Sequence, residues 1–271
     1  MKLAAIDIGS NAARLLISEV TKQPKQDPVF NKINLVRVPL RLGFDVFETG
    51  EISKAKVKML MQTLKAYQHL LEAYEIKHVY ACATSAMRDA RNSKDIIRKV
   101  KLETGIEIKV ISGQEEASFI YENHVAENLD SDHSYLYIDV GGGSTELTFF
   151  ANGALVSKES FNIGTIRILK DQIDEETWDD MKDYVKKNIK SALPSIAIGS
   201  GGNITKILSM SKTKEGKPLS LDLLKDYYKE LSSVSLEDRM HMYGLKEDRA
   251  DVIVPALLIY IQVMKWANID E

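Results

Sequence analysis

Two short stretches decide the fold of this chain: LAAIDIGSN at residues 3–11 and YLYIDVGGGST at residues 135–145. Each is an apolar run, typical of a buried strand, that ends in an aspartate followed by a glycine turn. Asp7 and Asp139 lie 132 positions apart, which is about half of the 271 residues. Strand-like segments follow both turns, so the sequence predicts a duplicated domain in which each half contributes one glycine turn.

The segments around these turns alternate between strand-like and helix-like patterns. Ser53 is a typical N-cap. The apolar residues after it recur at spacings of three and four, which is one face of a helix: Val57, Leu60, Leu64, Tyr67 and Leu71. The alternation indicates an α/β fold. At about 150 residues per domain the length fits two domains, which we assign to residues 1–126 and 127–271.

The composition is that of an ordinary folded protein and excludes several classes. Hydrophobic residues make up 44 % and charged residues 28 % of the chain, which excludes disordered, collagen-like and disulfide-stapled chains. The net charge of −3 gives no general attraction for DNA or an anionic membrane, so we expect neither as a partner. The single cysteine, Cys82, cannot form an internal disulfide, which indicates the cytoplasm. The uncharged residues 252–264 are too few to span a bilayer and predict a buried helix.

Three glycine turns carry the first chemical signal. The third, GSGGN at residues 199–203, again follows a strand-like segment. Successive peptide N–H groups in such turns form a concave nest that binds phosphate oxygens, and Asp7 or Asp139 at the strand end can hold Mg²⁺ beside the phosphate. A lone glycine turn is more often a plain tight turn, but three turns, two of them led by an aspartate, favour phosphate binding. The spacing matches neither a Walker A loop nor a dinucleotide-binding fingerprint.

Charged residues beside these segments are candidates for the same site. Arg14 follows the first turn, and Arg88 follows a small-residue turn at a strand end, the usual ligand side of an α/β sheet. A planar guanidinium suits phosphate oxygens, and the alternative for each arginine is a surface ion pair. Glu115 and Glu116 open a helix, where acidic residues often only complement the helix dipole. The other interpretation is that one of them faces a cleft and activates water as a general base.

Five motifs follow one another along the chain: DIGSN at residues 7–11, ATSAMR at 83–88, ISGQEEA at 111–117, IDVGGGSTE at 138–146 and GSGG at 199–202. In this order they resemble the exopolyphosphatase/guanosine pentaphosphate phosphohydrolase (Ppx/GppA) family. RAD at residues 249–251 and the apolar helix after it also resemble that family. The resemblance spans nearly the whole chain and is closest to the short, two-domain form.

The resemblance implies a fold and an activity. The fold would be the duplicated ribonuclease-H-like architecture of actin, hexokinase and Hsp70, with the active site in the interdomain cleft. The reaction would be hydrolysis of a terminal phosphoanhydride, with Mg²⁺ as the divalent cation and a homodimer as the assembly. The short form of the family continues with one more strand and a helix, so the second domain is expected to end early at Glu271.

The resemblance also implies roles for individual residues. Glu116 matches the water-activating residue, and Asp139 and Glu146 match residues placed around the metal and the water. The predicted catalytic residues are therefore Glu116, Asp139 and Glu146, and the predicted metal ligands are Asp7, Asp139 and Glu146. The predicted substrate-binding residues are Gly9, Ser10, Asn11, Arg14, Arg88, Gly141, Gly142, Gly143, Ser144, Thr145, Gly201 and Gly202.

Several functions remain open at this point. Inorganic polyphosphate is the favoured substrate, and guanosine pentaphosphate is the alternative for the same hydrolysis. A different class of function is a non-hydrolytic, actin-like protein that binds a nucleotide or ppGpp. Glu116 argues against that class, because binding alone has no need of a carboxylate close to the phosphates.

Overall fold

The computed structural model describes residues 1–21, 28–122, 132–211, 213 and 217–271. The chain divides into two compact units, Met1–Ser112 and Gly113–Glu271. The boundary predicted near residue 126 lies outside the described residues. Each unit contains one β-sheet together with helices, so the α/β prediction is confirmed.

The first unit begins with three strands and then alternates helices with strands. Its elements are β1 (Lys2–Ile8), β2 (Ala13–Thr21), β3 (Val29–Val38), α1 (Leu42–Thr49), α2 (Lys54–Ala73), β4 (Val79–Ala83), α3 (Ser85–Asp89), α4 (Ser93–Thr104) and β5 (Ile108–Val110). The sheet order is β3-β2-β1-β4-β5. β1, β2 and β3 are antiparallel neighbours, whereas β4 and β5 continue the sheet in parallel.

The predicted long helix, α2, lies against this sheet. Ser53 caps it as predicted, since its side chain accepts a hydrogen bond from the N–H of Lys56. Tyr67 is buried, and its hydroxyl donates to the carbonyls of Ala13 and Val36 at 3.1 and 3.2 Å. The apolar face of α2 and the buried side chains of β1 and β2 therefore form the core of the first unit.

The second unit repeats the same beginning. Its elements are α5 (Gly113–Glu122), β6 (Ser134–Val140), β7 (Thr145–Ala151), β8 (Ala154–Phe161), α6 (Thr165–Leu169), α7 (Glu175–Asn188), β9 (Ser195–Ser200), α8 (Gly202–Ser211), α9 (Leu221–Ser232), α10 (Leu236–Tyr243), α11 (Glu247–Ala250) and α12 (Ile253–Ala267). The sheet order is β8-β7-β6-β9, with β6, β7 and β8 antiparallel and β9 parallel to β6. Three antiparallel strands followed by a parallel one thus occur in both units, which is the duplicated ribonuclease-H-like arrangement.

The apolar helix predicted for residues 252–264 is α12. It is buried in the core of the second unit, where Leu257 and Tyr260 pack with Leu136 and Leu147 from the sheet. The run Glu247–Ala267 is long and apolar enough to cross a membrane by length and composition, and 61 % of its most apolar stretch is buried inside the protein. This burial is that of a core helix.

Candidate active site

The first two glycine turns are closed in the same way. The N–H of Gly9 donates to the carbonyl of Ala12 at 3.0 Å, and the N–H of Gly141 donates to the carbonyl of Ser144 at 2.9 Å. A Cβ at Gly9 would lie 3.3 Å from the Ala12 oxygen, and a Cβ at Gly141 would lie 3.0 Å from the Ser144 oxygen. The turns are therefore equivalent in geometry as well as in sequence, which supports the predicted duplication.

The first turn is fixed by contacts with two helices of its own unit. The carbonyls of Ser10 and Asn11 accept hydrogen bonds from the N–H groups of Gly43 and Arg41, both at 2.8 Å. The buried hydroxyl of Ser10 is hydrogen-bonded to the hydroxyl of Ser85, at 2.7 Å, at the start of α3. The side chain of Ser10 therefore ties the turn to α3, and a contribution of Ser10 to a ligand would come from its backbone.

The predicted cations of the first unit have partners within the protein. Arg14 forms an ion pair with Asp7 at 2.8 Å across β1 and β2, and both side chains are about two-fifths exposed. Arg88 donates one N–H to the carbonyl of Ile111 at 2.9 Å, which leaves the remaining donors of its guanidinium for other partners. A metal ion at Asp7 would have to compete with the Arg14 guanidinium.

Arg41 is a cation at this turn that the sequence does not single out. Its backbone is left-handed, with φ 55° and ψ 40°, a conformation that is uncommon for a residue with a long side chain. Its guanidinium lies 4.0 Å from the centre of the Phe44 ring. Because a strained residue persists only where its surroundings impose it, the two hydrogen bonds between this segment and the first turn explain its conformation.

The second turn, residues 141–144, is held by the start of α6. Three successive carbonyl groups, those of residues 141–143, accept hydrogen bonds from the N–H of Thr165 (3.0 Å), the N–H of Ile166 (2.8 Å) and the Nε of Arg167 (2.7 Å). A Cβ at Gly164 would lie 2.5 Å from backbone atoms of residues 142 and 143, so only glycine permits this close approach.

These contacts decide where the N–H groups of the second turn point. In a planar trans peptide the C=O and the following N–H point in opposite directions. Since the carbonyls of residues 141–143 point toward α6, the N–H groups of residues 142–144 point away from it. Three successive N–H groups therefore face the same way, which is what an anion-binding turn requires.

A row of polar residues crosses the second sheet beside this turn. Asp139 on β6 is paired with Glu146 on β7, Glu146 with Ser160 on β8, and Asp139 with Ser200 on β9. Glu146 is almost fully buried and accepts a hydrogen bond from the Ser160 hydroxyl at 2.8 Å. The register thus places two predicted catalytic carboxylates on neighbouring strands, directly opposite each other.

The third glycine turn lies against the same row. Gly201 has φ 97°, and a Cβ there would lie 3.3 Å from a carboxylate oxygen of Asp139. The hydroxyl of Tyr260 donates to the carbonyl of Ser200 at 2.6 Å. Burial raises the pKa of Tyr260 well above its ordinary value, and the negative charge of Asp139 raises it further. The contact with Gly201 and the charge effect on Tyr260 both place the Asp139 carboxylate at this turn.

Arg249 supports the third turn from the short helix α11. Its guanidinium donates to the side-chain oxygen of Asn203 at 3.0 Å. A Cβ at Gly202 would lie 2.5 Å from the same guanidinium. Arg249, the first residue of the stretch 249–251 that resembles the family, therefore lies against Gly202, which is one of the predicted binding residues.

Helix α5 brings Glu116 to the same end of the second sheet. A Cβ at Gly113, the first residue of α5, would lie 2.2 Å from the hydroxyl of Ser160, the group that donates to Glu146. The side chain of Gln114 donates to Glu159, and Lys158 donates to Ser118. The first turn of α5, which carries the half-buried Glu116, is thereby fixed beside β8 within the second unit.

Two carboxylates of the second unit suit a divalent cation that takes its remaining ligands from water and a substrate. Within the described ranges, no group of three or more His, Cys, Asp or Glu side chains forms a metal site. Mg²⁺ is usually held by one or two carboxylates, with water and substrate phosphate as its other ligands. Asp139 and Glu146, which are opposite each other across β6 and β7, match that requirement.

The structure places the three predicted catalytic residues in one unit. Glu116, Asp139 and Glu146 share it with the second and third turns, while the first turn, Asp7, Arg14 and Arg88 belong to the first unit. The sequence did not single out Ser160, Arg167 and Arg41. Ser160 donates to the Glu146 side chain, and Arg167 donates to a backbone carbonyl. Such contacts are not visible as a motif in a single sequence.

Comparisons with known proteins bear on the family and the fold of the chain. A family model described as the Ppx/GppA phosphatase family matches residues 19–271. The bifunctional 3-dehydroquinate synthase/phosphatase of Fusobacterium nucleatum is 31 % identical over 294 residues, a match that covers 98 % of this chain and 44 % of that protein. The chain therefore spans less than half the length of that relative.

Two further relatives match over most of their own length. Exopolyphosphatase 1 of Mycobacterium bovis is 23 % identical over 292 residues, which covers 100 % of this chain and 83 % of that protein. The crystal structure of an exopolyphosphatase from Cytophaga hutchinsonii is similar with a TM-score of 0.81 and 26 % identity, and the match covers 98 % of this chain and 91 % of that one. The family resemblance in the motifs is thus confirmed along the chain.

Proposed function

The chain belongs to the Ppx/GppA phosphatase family, and from this premise we propose that it is a hydrolase that releases terminal orthophosphate from inorganic polyphosphate. The observation that carries the proposal is the arrangement in the second unit. A turn with three N–H groups on one side lies beside two opposed carboxylates and the first turn of α5. An anion-binding turn next to acidic groups suits a reaction in which water attacks a phosphate.

Separate residues of the chain bind the phosphate, accept the proton and position a carboxylate. The N–H groups of residues 142–144 hold oxygens of the terminal phosphoryl group equally in the bound substrate and in the transition state, so they contribute to KM rather than to kcat. Glu116 accepts a proton from water as the water oxygen attacks phosphorus in line, and the bond from phosphorus to the bridging oxygen breaks. Orthophosphate and a polyphosphate chain shorter by one unit are the products. Ser160 fixes the orientation of Glu146 through its hydrogen bond.

We also propose a divalent cation, Mg²⁺, as the cofactor. Asp139 and Glu146 would hold it, and when bound it would neutralise charge on the phosphate oxygens. Arg14 and Arg88 in the first unit add positive charge for the rest of the polyanion. The same proposal includes a homodimer as the assembly and, since Cys82 forms no disulfide, the cytoplasm as the location.

The proposal is tested by the variant Glu116→Gln, which keeps the shape of the side chain and removes its basicity. We expect kcat for phosphate release from polyphosphate to fall about 10²- to 10⁴-fold, with KM within about threefold. Glu115→Gln is the matched control, because it makes the same change on the neighbouring residue of the same helical turn. A malachite-green assay over a series of chain lengths measures both parameters.

Other results of that assay would redirect the assignment. If Glu116→Gln kept the wild-type rate, or if Glu115→Gln lost as much, the assigned base would be wrong. Release from guanosine pentaphosphate alone would make that nucleotide the substrate. Tight binding of ATP or ppGpp in a calorimeter, without phosphate release, would identify a non-hydrolytic binding protein.

A further inference from the structure

The turn of residues 141–144 is held by two kinds of donor. The carbonyls of Gly141 and Gly142 accept from backbone N–H groups at the start of α6, which belong to the helix itself. The carbonyl of Gly143 instead accepts from a side chain, the Nε of Arg167, at 2.7 Å. The third peptide differs from the other two in that a side chain, which a substitution can remove, holds its carbonyl.

The peptide in question carries the N–H of Ser144. Because C=O and N–H are opposed in a trans peptide, the Arg167 contact directs this N–H away from α6, to the side where residues 142 and 143 also present theirs. Gly143 has no Cβ and can adopt either sign of φ. Without a donor on its carbonyl, this peptide could rotate and present oxygen instead of N–H to a bound anion.

We propose that Arg167 is a positioning residue for phosphate binding, which holds the Gly143–Ser144 peptide with its N–H toward the substrate. The inference rests on the proposed function, since it assigns the phosphate to this turn. Arg167 acts through the backbone of the turn and forms no part of the reacting groups. Its planar guanidinium is suited to the role because its charge strengthens the hydrogen bond to a neutral carbonyl.

The test uses Arg167→Met, which keeps the length of the side chain and removes its donors, and Arg167→Lys, which keeps a charged donor. For Arg167→Met we expect KM for tripolyphosphate and Kd for inorganic phosphate to rise about ten- to a hundredfold, the range of a hydrogen bond that involves a charged group. kcat should change by less than about threefold. Arg167→Lys should recover part of the affinity, since its ammonium group still donates.

Arg239→Met is the matched control for a purely structural effect. Arg239 also donates to backbone carbonyls of the second unit, those of Leu231 and Ala250 at 2.7 and 3.2 Å, but these carbonyls belong to α9 and α11. The variant Arg239→Met should lower the melting temperature and leave KM and the phosphate Kd unchanged. If Arg167→Met lowers the melting temperature by the same amount but binds phosphate like the wild type, the positioning role is overturned. If the wild type itself neither binds nor releases phosphate, the proposed function fails as well.

Discussion

Asp7 and Asp139 occupy equivalent places before equivalent turns, but their cross-strand partners have opposite charges. Asp7 is paired with Arg14 and Asp139 with Glu146. Arg14 neutralises Asp7 through an ion pair of 2.8 Å, whereas Asp139 faces a second carboxylate. Two carboxylates opposite each other repel unless a cation lies between them. The exchange of arginine for glutamate is the reason why our proposal places the divalent cation in the second unit and not at Asp7.

This difference predicts unequal effects of two matched substitutions on the metal requirement. Asp139→Asn should raise the Mg²⁺ concentration for half-maximal activity about tenfold or more, because it removes a charged oxygen ligand. Asp7→Asn should raise it less than about threefold, because the Asp7 carboxylate already has Arg14 as a partner. Activity is titrated with Mg²⁺ after the protein has been stripped with EDTA. If the Mg²⁺ concentration for half-maximal activity rose equally in the two variants, Asp7 would also be a metal ligand.

At the scale of elements, the sequence predicts what depends on hydrophobic pattern and misses what depends on short backbone contacts. The helix α2 was predicted because its apolar residues recur with the helical period, and β1, β6 and α12 were predicted because each is a continuous apolar run. The helices α1, α3 and α8 were not, because the first two are short and α8 begins within the third glycine turn. Two of these, α1 and α3, hold the first turn in place. The candidate residues were thus visible in the motifs, while the groups that orient them were not.

The helix that follows the third strand holds the glycine turn in both units. The start of α1 donates to the carbonyls of Ser10 and Asn11, and the start of α6 donates to those of residues 141 and 142. Gly164 stands directly before α6, and its missing Cβ permits the contact with the turn. The equivalent positions of these helices make the support of the turn part of the duplicated unit.

Gly164→Ala should therefore damage substrate binding as well as stability. Its Cβ would lie 2.5 Å from backbone atoms of residues 142 and 143, so the turn must shift, and overpacking of this kind costs about 1–3 kcal/mol of unfolding free energy. KM for tripolyphosphate should rise about tenfold or more as the N–H groups move. Gly153→Ala is the control, because Gly153 has φ +72° and open space around it. This variant should reduce the free energy of unfolding and leave KM unchanged. Urea unfolding and steady-state kinetics on both variants separate the two effects.

At the scale of the whole molecule, the proposed function requires a protein with a net charge of −3 to bind a polyanion. A long-range field of that sign does not draw in polyphosphate, so the attraction has to be local. In the proposed function it is supplied by backbone N–H groups, which carry no net charge, and by three arginines of the first unit, Arg14, Arg41 and Arg88. Both sources act over short distances, and only the arginines release counterions when a phosphate chain binds.

The salt dependence of the reaction should therefore be shallow. When log(kcat/KM) for long-chain polyphosphate is plotted against log salt, from about 0.05 to 0.5 M KCl at saturating Mg²⁺, we expect a slope of magnitude about three or less, near one for each arginine in contact with the chain. Arg14→Gln should lower the slope by about one, whereas Lys182→Gln should leave it unchanged, because Lys182 lies on α7, which carries none of the predicted site residues. A slope above about six would require an extended basic surface and would contradict recognition by a few local contacts.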